Sequence, residues 1–173
     1  MHFKINNLQE LESLAHVFSS CMEKGDIFLL SGDMGAGKTT FVSFVVKNIG
    51  MENHVCSPTF TLINRYNVKK EYFVYHMDLY RIESESDLLS LDLDSYFAKR
   101  DRVIFIEWSE KLGIFCPEEF LMINFQYKNS EDFVIGSHDE EMRLIELVSK
   151  GQRYDKLLMD LKIKLNGCKI YEE

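Results

Sequence analysis

The chain has 173 residues, 46% of them hydrophobic and 13% aromatic, with only 9 Gly and 2 Pro. That composition suits one domain with a sizeable core and excludes a disordered, collagen-like or linker-dominated chain. Lys and Arg number 20 against 28 Asp and Glu, a formal net charge of −8. A protein that grips nucleic acid by neutralising phosphates carries the opposite balance, so direct nucleic-acid binding is disfavoured.

Cys21, Cys56, Cys116 and Cys168 are far apart and form no CxxC pair, which speaks against zinc and against a disulfide framework. The N-terminus runs into polar Asn6-Asn7 instead of an apolar signal core. No apolar run approaches the roughly 20 residues that span a bilayer. A soluble, cytoplasmic protein is expected.

In chain order, Leu8, Leu11, Leu14, Ala15 and Phe18 recur at helical spacing and predict an amphipathic helix. Gly25-Asp26 breaks it. Ile27-Phe28-Leu29-Leu30 is then a short apolar run, as in a strand covered on both faces. Phe41, Val42, Phe44, Val45, Val46 and Ile49 predict a buried helix with Gly50 as its C-cap.

Phe60–Tyr66 and Tyr72–Asp78 read as two strands joined by a polar turn around Asn67 to Lys70. Ser84 opens a helix whose apolar side is Leu88, Leu89, Leu91 and Leu93. Val103–Ile106 is another doubly buried strand. Phe120–Tyr127 and Met142–Val148 predict an antiparallel pair separated by a polar stretch from Asn129 to Glu141. Tyr154, Leu157, Leu158, Leu161 and Leu165 give a final helix over 152–166. Alternation of strands and helices predicts a single three-layer α/β domain over 1–173, its sheet mostly parallel with antiparallel strands towards the C-terminus.

Between the first apolar strand and the helix after it lies Gly32-Asp33-Met34-Gly35-Ala36-Gly37-Lys38-Thr39, a G-x-x-x-x-G-K-[ST] Walker A loop. Glycines let backbone amides approach phosphate oxygens without a Cβ clash, and the helix N-terminus adds unpaired donors. The Lys38 ammonium can bridge β- and γ-phosphates, and the Thr39 hydroxyl can ligate Mg²⁺. This points to a P-loop NTPase fold.

Such a site also needs an acid at the end of a neighbouring strand. Glu107 and Asp78 both qualify, and spacing does not choose which of them contacts the metal. Ser57-Pro58-Thr59-Phe60-Thr61 reads as a turn and strand start, or as a switch-like loop that senses the γ-phosphate. Trp108 follows Glu107 and suits a half-buried aromatic or a shield over the nucleotide. His76 reads as a core histidine and Arg81 as part of a surface ion pair. Lys69-Lys70 and Lys99-Arg100-Arg102 read as solvated turns.

Four segments together resemble the TsaE family: Ser31–Thr40, Ser57–Leu62, His76-Met77-Asp78-Leu79-Tyr80-Arg81 and Ile106-Glu107-Trp108-Ser109-Glu110. The resemblance runs from about Leu8 to Lys150, and the tail beyond carries no motif of the family. It implies a Mg-dependent ATPase, weak alone, that acts with a two-protein threonylcarbamoyl transferase complex (TsaB and TsaD type). Its product would be N6-threonylcarbamoyladenosine (t6A) at position 37 of tRNA, which the ATPase would reach only through that complex.

The resemblance implies that Gly32, Asp33, Gly35, Ala36, Gly37, Lys38, Thr39, Thr40, Thr59 and Trp108 contact ATP. Thr39, Glu107 and Asp78 would serve the metal, with Lys38, Glu107 and Asp78 in hydrolysis. The family's N-terminal helix usually places a Thr near adenine; here Leu11 stands at that position. The alternatives are a small-molecule or nucleoside kinase, for which 129–141 offers no Lys or Arg for a lid, and a non-catalytic nucleotide-gated interaction module. A GTPase would need an [NT]-K-x-D element that the chain lacks.

Overall fold

The computed structural model describes residues 1–51, 55–68, 72–127, 142–166, 168 and 170–172. In chain order the elements are β1 (His2–Ile5), α1 (Leu8–Ser19), β2 (Ile27–Gly32), α2 (Lys38–Asn48), β3 (Ile63–Val68), β4 (Tyr72–Asp78), α3 (Glu85–Ser90), α4 (Leu93–Phe97), β5 (Arg102–Glu107), a 3-10 segment (Ser109–Phe115), β6 (Phe120–Tyr127), β7 (Arg143–Lys150), α5 (Gln152–Leu165) and β8 (Tyr171–Glu172). The strands form one sheet in the order β3-β4-β5-β2-β6-β7-β1-β8.

Its centre, β4-β5-β2-β6, is parallel, as the doubly apolar runs predict. The antiparallel partners lie on both flanks: β3 on β4, β7 on β6, and β1 and β8 beyond. The antiparallel β6–β7 pair expected towards the C-terminus is present, and β3 adds an antiparallel strand at the opposite flank. Strand β1 went unread because four residues are too short for a period to declare itself. Its Phe3 and Ile5 are nonetheless fully buried, with Phe3 opposite Ile145 and Ile5 opposite Arg143.

Strand alternation sorts side chains into two cores. Phe28, Leu30, Val74, Val103, Phe105 and Phe125 face α1, α2 and α5. There Phe28 stacks on Phe105 at 4.9 Å, and Phe18 meets Phe28 edge-on at the same distance. Leu29, Met77, Ile104 and Ile106 face the other way, against Leu88, Leu93 and Leu112.

Three local expectations change. The strand expected from Phe60 begins at Ile63, because the amides of Thr61 and Leu62 both turn back to the Pro58 carbonyl (3.0 and 2.6 Å). The helix opened by Ser84, with its capping box to Asp87, stops at Ser90. Asp92 takes a left-handed conformation (φ 49°) and α4 starts anew. At 100° per residue, Leu88 and Leu93 would point about 140° apart on a continuous helix, so the break lets both reach the sheet while Leu89 stays exposed. Arg102 is buried, its guanidinium over Tyr75 and Tyr96, and is not part of a solvated turn. The Lys69-Lys70 turn and the stretch 129–141 lie outside the described residues.

At the edge where the parallel strands begin, α5 is pinned to β2. Arg153 bonds Asp26 through Nε (3.0 Å) and Nη2 (2.7 Å). The Tyr154 hydroxyl accepts the Ile27 amide at 2.6 Å. Burial pushes the Tyr154 phenol up to about 12 from an ordinary 10.0. A phenol whose folded-state value is raised contributes stability intact below pH 10 and lost as the pH rises towards 12. Tyr154→Phe strands the buried Ile27 amide and should cost about 1–3 kcal/mol. Urea unfolding at pH 7 measures this, and the part of the alkaline stability loss due to Tyr154 should vanish in the variant.

Candidate functional site

The four central strands all end at one edge, and the chemistry-bearing residues gather there. Asp78 closes β4 and Glu107 closes β5, directly opposite one another in the parallel ladder. Leu30 of β2 is the neighbour of Glu107 on its other side. Two residues later β2 passes into the Walker loop, and α2 begins at Lys38 with Gly37 as a left-handed N-cap (φ 107°). Gly37 has no side chain to cap this helix, which leaves the first-turn amides without an N-cap acceptor, the arrangement that suits an oxyanion.

The loop is seated against β6 and β7. Gly32 (φ 120°) passes so close to β6 that a Cβ there would lie 2.0 Å from the Phe125 carbonyl oxygen. A Cβ at Gly35 would meet the Tyr127 hydroxyl at 3.3 Å, and one at Gly37 would sit 3.7 Å from both Arg143 Nε and Leu11 Cδ2. Leu11 is fully buried and so acts as packing beneath the loop. Ala36 is buried too and donates its amide to the Asp33 carbonyl (3.2 Å). Asp33 itself is exposed.

Lys38 is 4% exposed. Its ammonium donates to the carbonyls of Gly32 (2.6 Å) and Asp33 (2.8 Å) and lies 4.3 Å from the centre of the Trp108 ring. Burial pulls its pKa below the ordinary lysine range, against the opposing pull of Glu107, Glu110, Asp78 and Asp33. The two strand-end carboxylates are also buried, Asp78 at 2% and Glu107 at 3% exposure.

Glu107 Oε1 accepts from the Thr39 hydroxyl at 2.7 Å and pairs with His76 Nε2 at 2.7 Å. Asp78 Oδ2 accepts a short hydrogen bond from the Thr59 hydroxyl, and its Oδ1 accepts the Tyr80 amide at 2.9 Å. Ser57 Oγ lies 2.7 Å from Thr59 Oγ1. The Ser57–Thr61 segment is thus drawn to the site through Asp78.

Trp108 leaves β5 in a left-handed conformation (φ 58°), which swings its ring out of the strand line and over Lys38. Tyr80 packs beside it, ring centres 5.1 Å apart. Lys111 fastens the Tyr80 segment through that residue's carbonyl and that of Ile82 (2.8 Å). Arg81 is exposed and stacks on Phe60 at 4.2 Å.

These residues enclose a cleft of about 500 Å³, lined by Gly35, Gly37, Lys38, Thr39, Thr40, Ser57, Thr59, Asp78, Glu107 and Trp108, with Met34, Phe60 and Tyr80 at its margin. A hollow of about 680 Å³ around Asp26 and Arg153 is larger but lies at the other edge of the sheet, away from every Walker residue. The cleft's donor set fits a magnesium–triphosphate ligand: one ammonium, uncapped helix amides, a hydroxyl and two buried carboxylates, all hard oxygen or cationic groups. Sequence reasoning missed the part played by His76. The available signal was its i, i+2 spacing from Asp78, which puts both on the α2 face of β4.

Comparison with known proteins agrees with this picture. A family model described as Threonylcarbamoyl adenosine biosynthesis protein TsaE matches residues 5–135. The tRNA threonylcarbamoyladenosine biosynthesis protein TsaE of Bacillus subtilis (strain 168) is 36% identical over 155 residues, 90% of this chain and 89% of that one. The protein of the same name from Rickettsia felis is 32% identical over 157 residues, 89% of this chain and 90% of that one. The crystal structure of Bacillus subtilis YdiB superimposes with a TM-score of 0.77 at 28% identity, covering 96% of both chains.

The tight passage at Gly32 is testable. In Gly32→Ala the methyl must displace backbone, not a flexible side chain, and alanine must also adopt a positive φ. A loss of at least about 2 kcal/mol in urea unfolding is expected, together with weaker nucleotide binding.

Proposed function

The chain belongs to the TsaE family, and from that premise we propose that it is the ATP-hydrolysing subunit of tRNA t6A37 formation. It acts with the two subunits of a threonylcarbamoyl transferase complex, of TsaB and TsaD type, and reaches tRNA through them. The net charge of −8 supports a protein-docking role over direct grip on RNA. Among the described residues no helix is long and apolar enough to cross a membrane, and we place the protein in the cytoplasm, where tRNA is modified.

One observation carries the ATPase reading: the Walker threonine and a strand-end carboxylate touch, Thr39 Oγ1 to Glu107 Oε1 at 2.7 Å, in a cleft that also holds Lys38 and Asp78. On this reading the loop amides from Gly32 to Thr40 bind the phosphates of ATP. Lys38 exchanges its loop carbonyls for phosphate oxygens, where its charge stabilises the negative charge that spreads over the transferring group. Thr39 with Glu107 or Asp78 would hold Mg²⁺, which when bound neutralises the β- and γ-phosphate oxygens.

Of the two carboxylates, Glu107 is the better placed to orient and deprotonate the attacking water: both its donors meet Oε1, whereas both oxygens of Asp78 are engaged. Water adds to the γ-phosphorus, the bond to the β-bridging oxygen breaks, and ADP and inorganic phosphate leave. Thr59, tied to Asp78, would sense the γ-phosphate from the Ser57–Thr61 side. Trp108 would cover the site and exclude bulk water.

Lys38→Ala should weaken ATP binding at least tenfold in calorimetry. Glu107→Ala should keep binding within a few-fold yet lose about 100-fold or more in turnover, the share a positioned base supplies. The decisive assay reconstitutes t6A formation with the two partner proteins. Multiple turnovers should need this protein as wild type and should fail with Lys38→Ala. Equal turnover without it would overturn the reading.

A further inference from the structure

Glu107 Oε1 is held by two groups, the Thr39 hydroxyl on α2 and His76 Nε2 on β4, each at 2.7 Å. His76 is fully buried. It lies opposite Phe105 in the ladder, one strand over from Glu107, and no hydrogen-bond partner for its Nδ1 is found among the described residues. A carboxylate can only accept. In this pair His76 is therefore the donor, through Nε2–H, and its Nδ1 is left without a partner among the described residues. An apolar residue would fill this position without leaving a polar atom unmet, as Val74 does two residues earlier on the same face.

We propose that His76 is a positioning residue for hydrolysis: its Nε2–H fixes the Glu107 carboxylate when nucleotide and metal draw the Thr39 hydroxyl away. The inference rests on the ATPase reading, in which Thr39 turns towards Mg²⁺. Of the two donors on Oε1, the hydroxyl is then the one that leaves. The imidazole sits on a neighbouring strand in fixed register, so it stays, and Glu107 keeps its orientation instead of relaxing into the emptied space. Holding a catalytic carboxylate through a buried partner is the same device by which outer groups orient metal ligands.

The experiment uses the full chain. Imidazole ¹⁵N spectra of the wild type should show a hydrogen on His76 Nε2; a ring carrying its hydrogen on Nδ1 alone would overturn the proposal without any variant. His76→Leu removes the donor, and His76→Gln replaces it with an amide N–H near Nε2. In His76→Leu, ADP affinity without Mg²⁺ should stay within twofold of wild type. The gain in affinity on adding Mg²⁺ should also stay within a few-fold, while kcat falls at least tenfold with KM little changed. His76→Gln should recover most of the lost kcat.

A merely structural histidine predicts a lowered melting temperature with the kcat of the folded fraction within twofold of wild type, and that result would overturn the proposal. A wild type that neither gains affinity from Mg²⁺ nor hydrolyses ATP with its partners present would overturn the ATPase reading, and this inference with it.

Discussion

Lys38, Asp78 and Glu107 are each less than 5% exposed, and a charge withdrawn from water costs several kcal/mol unless polar partners surround it. Much of the edge of this sheet is arranged to meet that demand. Lys38 is satisfied by two carbonyls of its own loop and an indole face. Glu107 is satisfied by a hydroxyl and an imidazole, and Asp78 by a hydroxyl and a backbone amide. The partners come from several segments, so the requirement to solvate three buried charges gathers α2, β4, the Ser57–Thr61 turn and the Trp108 turn around one cleft. The partners are also exchangeable: hydroxyls and loop carbonyls can be replaced by phosphate oxygens and a metal ion without leaving a charge bare.

The parallel register supplies the rest. Because Asp78 and Glu107 are paired in the ladder, their side chains emerge on the same face, the one covered by α2. Leu30 on β2 is in step with Glu107, which sets the start of the Walker loop beside the carboxylates. A slip of one residue in β5 would send Glu107 to the face of Ile106, among Leu112 and Met77, where nothing could solvate it.

What the sequence made legible follows from how locally each feature is determined. The Walker loop declares itself because its glycines, lysine and threonine are contiguous and its function dictates their spacing. The central strands declare themselves because burial on both faces leaves unbroken apolar runs such as Ile27–Leu30 and Val103–Ile106. Strand β1 is specified by distant partners on β7 and escaped notice. The turn at Thr59–Leu62 hides inside a β-like string, because Phe60, Thr61 and Leu62 would suit a strand if the Pro58 carbonyl did not capture the amides of Thr61 and Leu62. His76 reads as an ordinary core residue in sequence because its partner stands 31 positions away, beyond any window of periodicity. Roles at the site that depend on long-range register were closed to reading; those carried by a motif were open.

The close fit of Gly32, Gly35 and Gly37 against Phe125, Tyr127 and Arg143 gives the cleft one stiff bank and one yielding bank. The phosphate loop rests on the β6–β7 ribbon with no slack at its first glycine, so it cannot swell to admit a guest. Across the gap, the Pro58-backed turn reaches the site through Thr59 on Asp78, and the Trp108 ring lies between Lys38 and Tyr80. For any guest of this cleft the stiff bank is the backbone cradle, and the bank facing it is the one turned to solvent, where Phe60 and Tyr80 stand exposed.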